Sequence, residues 1–93
     1  MTEVNHVEGE NKGNIFLYAL STCVWCRKTK KLLDSLGVEY LYIFMDQLDG
    51  NEKDQRMKEL EKWNPRCSFP TLVINKDKCI VGFREDEIKE ELK

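Results

Sequence analysis

Apolar and polar positions change rhythm several times along the 93-residue chain. From Asn14 to Leu20 the sequence Asn-Ile-Phe-Leu-Tyr-Ala-Leu is a continuous apolar run of strand length, as expected for a central strand covered on both faces. Thr29, Leu32, Leu33 and Leu36 then recur at helical spacing, while Arg27, Lys28, Lys30 and Lys31 occupy the rest of the circumference. Gly37 stops that helix. Glu39 to Met45 is strand-like again, and strand, helix and strand with a short return loop imply a right-handed parallel crossover.

Asp46 to Asn51 supplies turn residues. Helical spacing resumes over Glu52 to Trp63, through Met57, Leu60 and either Trp63 or Asn64, and Asn64-Pro65 ends it. Thr71 to Ile74 and Cys79 to Val81, joined through Asn75-Lys76-Asp77-Lys78, predict an antiparallel hairpin of two short strands. Ile88 and Leu92, four apart and preceded by Glu85-Asp86-Glu87, predict a short closing helix whose early carboxylates suit its N-terminal dipole.

The predicted order is β-α-β-α-β-β-α, an α/β fold with a four-stranded mixed sheet flanked by helices. Residues 1–13 show no periodicity and carry Asn5, Gly9, Asn11 and Gly13, so a flexible N-terminal tail is expected before one domain of residues 14–93. His6, the single histidine, is expected to be a solvated residue of that tail.

Charge and composition narrow the function. The net charge is −2 with acids and bases interspersed, which argues against nucleic acid as a partner, since phosphate binding needs clustered base. No apolar segment approaches the roughly 18–20 residues that span a bilayer. The polar N-terminus, with Glu3, Glu8 and Glu10, lacks the pattern of a signal peptide. A cytoplasmic, monomeric protein that does not act on membranes is the expectation.

Four cysteines without a secretion signal fit a reducing compartment, where a vicinal pair is more often catalytic or metal-binding than structural. In Cys23-Val24-Trp25-Cys26, Cys23 falls at the first turn of the predicted helix and Cys26 three residues on along the same face, so the two sulfurs can close a small ring. The amides and dipole of a helix start, with Arg27 and Lys28 nearby, favour a thiolate at Cys23. Cys26, one turn in, should be less exposed and less acidic. Cys23 is therefore the expected nucleophile on a disulfide and Cys26 the thiol that resolves the mixed disulfide.

Trp25, apolar on a loop tip, is expected to face substrate rather than core. Arg27 and Lys28 can steer anionic partners, whereas Lys30 and Lys31 belong to the solvated helix face. No metal site is expected: one short pair followed by isolated Cys67 and Cys79 is not the paired-knuckle spacing of structural zinc. Cys79, on a strand, is expected to pack in the core. Cys67, three residues before Pro70, is either an inert loop thiol or a secondary redox group, if that loop abuts Cys23.

Three segments in order carry a family resemblance: Cys23-Val24-Trp25-Cys26 after the first strand, Ser68-Phe69-Pro70-Thr71 before the third, and Val81-Gly82-Phe83-Arg84-Glu85-Asp86 before the last helix. From about Asn14 to Leu92 the chain resembles a glutaredoxin of the thioredoxin fold. The resemblance implies a thiol–disulfide oxidoreductase with a redox-active Cys23–Cys26 disulfide and no tightly bound cofactor. It would reduce protein disulfides or mixed disulfides, with glutathione, another small thiol or thioredoxin reductase as electron donor.

It also implies a cis Phe69–Pro70 bond beside Cys23, with the Phe69 backbone pairing to a bound cysteinyl substrate. The implied substrate-binding set is Trp25, Arg27, Phe69, Pro70, Gly82, Phe83 and Asp86. Departures from the family pattern are informative. Val24 stands where many glutaredoxins have proline, and Leu20 where glutathione-dependent members carry a lysine or arginine. Gly82-Phe83 replaces a Gly-Gly pair, and Asp86 either meets a ligand ammonium or serves as a helix cap.

Val81-Gly82-Phe83-Arg84 is similar instead to glutaredoxin-like proteins that donate electrons to ribonucleotide reductase and are recharged by thioredoxin reductase. The alternative function is an iron–sulfur cluster carrier or sensor, in which Cys23 of two subunits and external thiols hold the cluster.

Overall fold

A computed structural model describes residues 4–92 of the chain. The first apolar run forms β2 (Ile15–Ala19), the middle strand of a five-stranded sheet whose order is β1 (Asn5–Val7), β3 (Tyr40–Phe44), β2, β4 (Thr71–Ile74) and β5 (Lys78–Val81). Its partners are β3 in parallel, with Phe16 opposite Leu41 and Ala19 opposite Phe44, and β4 in antiparallel, with Ile15 opposite Ile74. β5 pairs antiparallel with β4 as the expected hairpin.

β2 is apolar throughout because both its faces are covered. Ile15, Leu17 and Ala19 pack with Leu33 of α1 (Val24–Leu36) and Ile88 of α3 (Glu85–Glu91). Phe16 and Tyr18 face the other layer, with Met45, Leu48 and Leu60 of the segment from the 3₁₀ turn at Met45–Gln47 through α2 (Gly50–Trp63). Alternation of side chains along a strand thus assigns α1 and α3 to one layer and α2 to the other. α1 ends at Gly37, whose backbone takes the left-handed conformation (φ 68°) and donates its N–H to the Asp34 carbonyl at 3.1 Å. Among the described residues no helix is long and apolar enough to cross a membrane.

The sheet has five strands rather than the four expected. Residues Asn5–Val7, within the segment read as a flexible tail, form β1 and pair antiparallel with β3, Asn5 opposite Tyr42 and Val7 opposite Tyr40. His6, though exposed, lies 2.8 Å from Glu39 through Nε2. Glu10 bonds through its backbone to Gly37 and Glu39 at 2.8 and 2.9 Å. Three residues are too few to display a period, and the pairing is made by backbone groups, which leave little trace in composition. Met1, Thr2 and Glu3, also assigned to the tail, lie outside the described residues.

Candidate active site

Cys23 caps α1. Its backbone is extended (φ −85°, ψ 121°), its sulfur accepts the N–H of Cys26 at 3.2 Å, and its own N–H reaches the Leu20 carbonyl at 3.2 Å. The helix start thus turns one of its free N–H groups onto the sulfur, as a capping side chain does. Between the cysteines, Val24 and Trp25 are 59% and 55% exposed, while Cys26 is 1% exposed. Cys23 is half-buried and both thiols are free. Burial first, and then its hydrogen bond with Cys23, pushes the Cys26 thiol up to about 12. The motif therefore sets one sulfur at the rim and a protonated one beneath it.

The basic residues beside this turn are engaged locally. Arg27 donates Nε and Nη2 to the Ser21 carbonyl at 3.3 and 3.2 Å, and the Lys28 ammonium lies 4.6 Å from the centre of the Trp25 ring. Asp46, in the 3₁₀ turn that follows β3, accepts both the N–H and the hydroxyl of Ser21.

The Phe69–Pro70 bond is cis. Pro70 is buried, and its carbonyl accepts the N–H of Gly82 at 2.8 Å, tying the β5–α3 turn to this loop. Asn64 shapes the loop from below. It ends α2, donates through Nδ2 to Ser68 Oγ at 3.0 Å and Thr71 Oγ1 at 3.2 Å, and accepts the N–H of Arg66 at 3.2 Å. Thr71 closes the circuit by donating Oγ1 to the Ser68 carbonyl at 2.8 Å. These groups are fully paired although Asn64 and Thr71 are buried, which holds the loop in one shape.

Trp25, Phe69, Pro70, Gly82 and Phe83 line a shallow cleft of about 290 Å³. The Trp25 and Phe83 rings stack with centroids 6.1 Å apart and planes 26° apart, and Gly82, at φ 85°, turns the chain so that Phe83 reaches back. Cys23, Phe69 and Phe83 pack against the same core cluster. Five of the expected substrate-binding residues thus meet in one place. Arg27 sits on the Ser21 carbonyl, and Asp86 is exposed in the first turn of α3. The cap position there belongs to Arg84, so Asp86 is not the helix cap: the chain enters the helix two residues earlier than that reading required.

A larger cavity of about 430 Å³ lies at the other end of β2, lined by residues such as His6, Asn14, Phe16 and Leu41. Neither cavity is lined by a cysteine, but the smaller cleft includes Trp25, which lies between Cys23 and Cys26, and this makes it the candidate site. Cys67, in a left-handed conformation at φ 52°, packs against the cluster of Tyr18 and Val73, on the opposite side of the sheet from Cys23. Cys79 is half-buried opposite Val73 on β5 rather than fully in the core, and burial pushes its thiol up. Among the described residues no three His, Cys, Asp or Glu side chains are grouped to hold a metal ion.

Two residues beside the site carry no sign of these bonds in the sequence: Asn64 is legible there only as a helix end and Asp46 only as a turn residue. Their partners lie in other elements, so only the spacing of Asn64 from Ser68 and Thr71 offered a local signal.

Comparison with known proteins fits this arrangement. The family model described as Glutaredoxin matches residues 15–80. An uncharacterized glutaredoxin-like 8.6 kDa protein in the rubredoxin operon of Clostridium pasteurianum is 35% identical over 74 residues, which cover 80% of this chain and 91% of that protein. The crystal structure of the glutaredoxin from Methanosarcina mazei Go1 is 50% identical with a TM-score of 0.90, covering 98% of this chain and 88% of that one. Methanoredoxin of Methanosarcina acetivorans is 51% identical with a TM-score of 0.88, covering 90% and 88%. With the CxxC helix start, the cis-proline loop and the mixed sheet in their expected places, this chain belongs to the glutaredoxin family.

Proposed function

We propose that this protein is a dithiol oxidoreductase that reduces protein disulfides or mixed disulfides through Cys23 and Cys26. The observation that carries the reading is the pairing of a half-buried, helix-capping Cys23 with a buried Cys26 whose N–H meets its sulfur at 3.2 Å. In the first step the Cys23 thiolate attacks one sulfur of the substrate disulfide, forming a mixed disulfide and expelling the other sulfur as a thiolate. In the second, Cys26 loses its proton and attacks Cys23, and the substrate sulfur departs with the bonding electron pair. Two electrons have then passed to substrate, leaving a Cys23–Cys26 disulfide.

The cis-proline loop and the Trp25–Phe83 stack supply the substrate surface, with the Phe69 backbone as the partner for an extended segment. Leu20 at the position of a cation and Phe83 in place of a second glycine disfavour a built glutathione site. A different small thiol or thioredoxin reductase is therefore the proposed electron source, in the cytoplasm, for a protein acting as a monomer.

Turnover of hydroxyethyl disulfide, measured in turn with glutathione and its reductase, thioredoxin reductase with its nicotinamide cofactor, and other small thiols, tests this reading. Wild-type protein should turn over with at least one donor and Cys23→Ser with none. Full activity of Cys23→Ser would overturn it.

A further inference from the structure

Two charged side chains hold a single residue of the turn that precedes the thiols. Asp46 takes the Ser21 N–H on Oδ1 at 2.9 Å and the Ser21 hydroxyl on Oδ2 at 2.5 Å. Arg27 gives two donors to the Ser21 carbonyl, at 3.3 and 3.2 Å. Every polar group of Ser21 is thus engaged, from the 3₁₀ turn after β3 on one side and from α1 on the other. One residue earlier, the Leu20 carbonyl receives the Cys23 N–H at 3.2 Å, and the Cys23 sulfur in turn accepts the Cys26 N–H at 3.2 Å.

The turn and both of its charged partners lie at the surface, where hydrophobic burial does not fix a loop. Directional bonds to a residue with no remaining freedom do, and they are charge-assisted. We propose that Asp46 is a positioning residue of the dithiol: through Ser21 it fixes the turn against which both Cys23 and Cys26 are set. This rests on the dithiol chemistry proposed above.

Burial and the hydrogen bond with Cys23 raise the Cys26 thiol most, and the Asp46 charge adds a smaller push in the same direction. The Ser21 hydroxyl, then the Ser21 amide, holds the Asp46 carboxyl below the usual carboxylate range, with Lys53 of α2 adding to this. Asp46 therefore stays ionised wherever a thiol reacts, and neither gains nor loses a proton during the cycle. Its charge opposes a thiolate at Cys26 and delays the second attack, while the clasp keeps that attack short-ranged.

Asp46→Asn preserves shape and an acceptor oxygen but removes the charge, and Ser21→Ala removes the hydroxyl and leaves the charge. In a full-length Cys23→Ser background, iodoacetamide alkylation of Cys26 is followed against pH and located by mass spectrometry. Asp46→Asn should move the profile to lower pH and speed alkylation at pH 8 by about 3- to 10-fold.

In protein with both cysteines, dithionitrobenzoate releases thionitrobenzoate in two phases, the second being the attack of Cys26 on Cys23. Ser21→Ala should slow that phase about threefold or more without shifting the Cys26 profile. An unchanged profile in Asp46→Asn, or a wild-type second phase in Ser21→Ala, overturns the proposal. Far-ultraviolet circular dichroism establishes that each variant is folded. A wild-type chain that reduces no disulfide would instead remove the dithiol reading itself, so the two failures are distinguishable.

Discussion

The indole of Trp25 stacks on the phenyl ring of Phe83, 6.1 Å between centroids, and so joins the CxxC turn to the turn between β5 and α3. Trp25 is 55% exposed, yet it is held from two sides, by Phe83 and by the Lys28 ammonium. A surface aromatic fixed in this way presents area to a partner at little further entropic cost.

Trp25→Ala and Phe83→Ala should each raise KM for a protein disulfide about 3- to 10-fold, with kcat within about twofold of wild type, as expected for the loss of one aromatic contact. Steady-state kinetics with a protein substrate checks this. An unchanged KM in both variants would remove the stack from the substrate surface.

The raised Cys26 thiol makes a prediction about pH. Its folded value, about 12, exceeds that of an unfolded cysteine, near 9, so the folded reduced protein holds its proton over a range where the unfolded chain has lost it. Stability from this source is complete below about pH 8.5 and is lost as pH rises from there toward 12. Thermal melts of the reduced protein should fall more steeply with pH above 9 than those of Cys26→Ser.

Asn64 supports the cis-proline loop through bonds to Ser68, Thr71 and Arg66. Asn64→Ala should cost about 2–3 kcal/mol in urea unfolding, because buried polar partners lose their bonds, and should lower disulfide turnover as the loop loosens. A fully active, equally stable variant would show that the loop is held by other means.

Gly9 and Gly37 are needed for different reasons. A Cβ on Gly9 would lie 2.6 Å from both the Gly37 carbonyl oxygen and the Val38 carbonyl carbon, a collision with backbone that cannot rotate away. At Gly37 a Cβ meets nothing within 4 Å, but the backbone is left-handed at φ 68°. Gly9→Ala should cost about 1–3 kcal/mol by overpacking and Gly37→Ala about 1–2 kcal/mol by backbone strain. Denaturant unfolding of the two variants reads both values.

The elements legible in the sequence were those whose period comes from burial on a defined face. β2, with both faces covered, read as a continuous run, and α1 read from Leu32, Leu33 and a terminal glycine. The hairpin strands were visible because Thr71 to Ile74 is wholly apolar or β-branched and wholly buried. β1 was not visible, since its place depends on Tyr40 and Tyr42, more than thirty residues away. The CxxC and the Phe69–Pro70 loop could be recognised as motifs. Asp46 and Asn64 could not, because side-chain bonds between elements are made by the fold.

The strand Asn5–Val7 also changes the borders of the sheet. Without it β3, five residues long, would lie open along one side; with it the outermost strands are three residues at one border and four at the other. Short borders offer little unpaired backbone on which a foreign strand can be templated. Asn5–Val7 therefore leaves the sheet with little open backbone from which edge-to-edge aggregation could start.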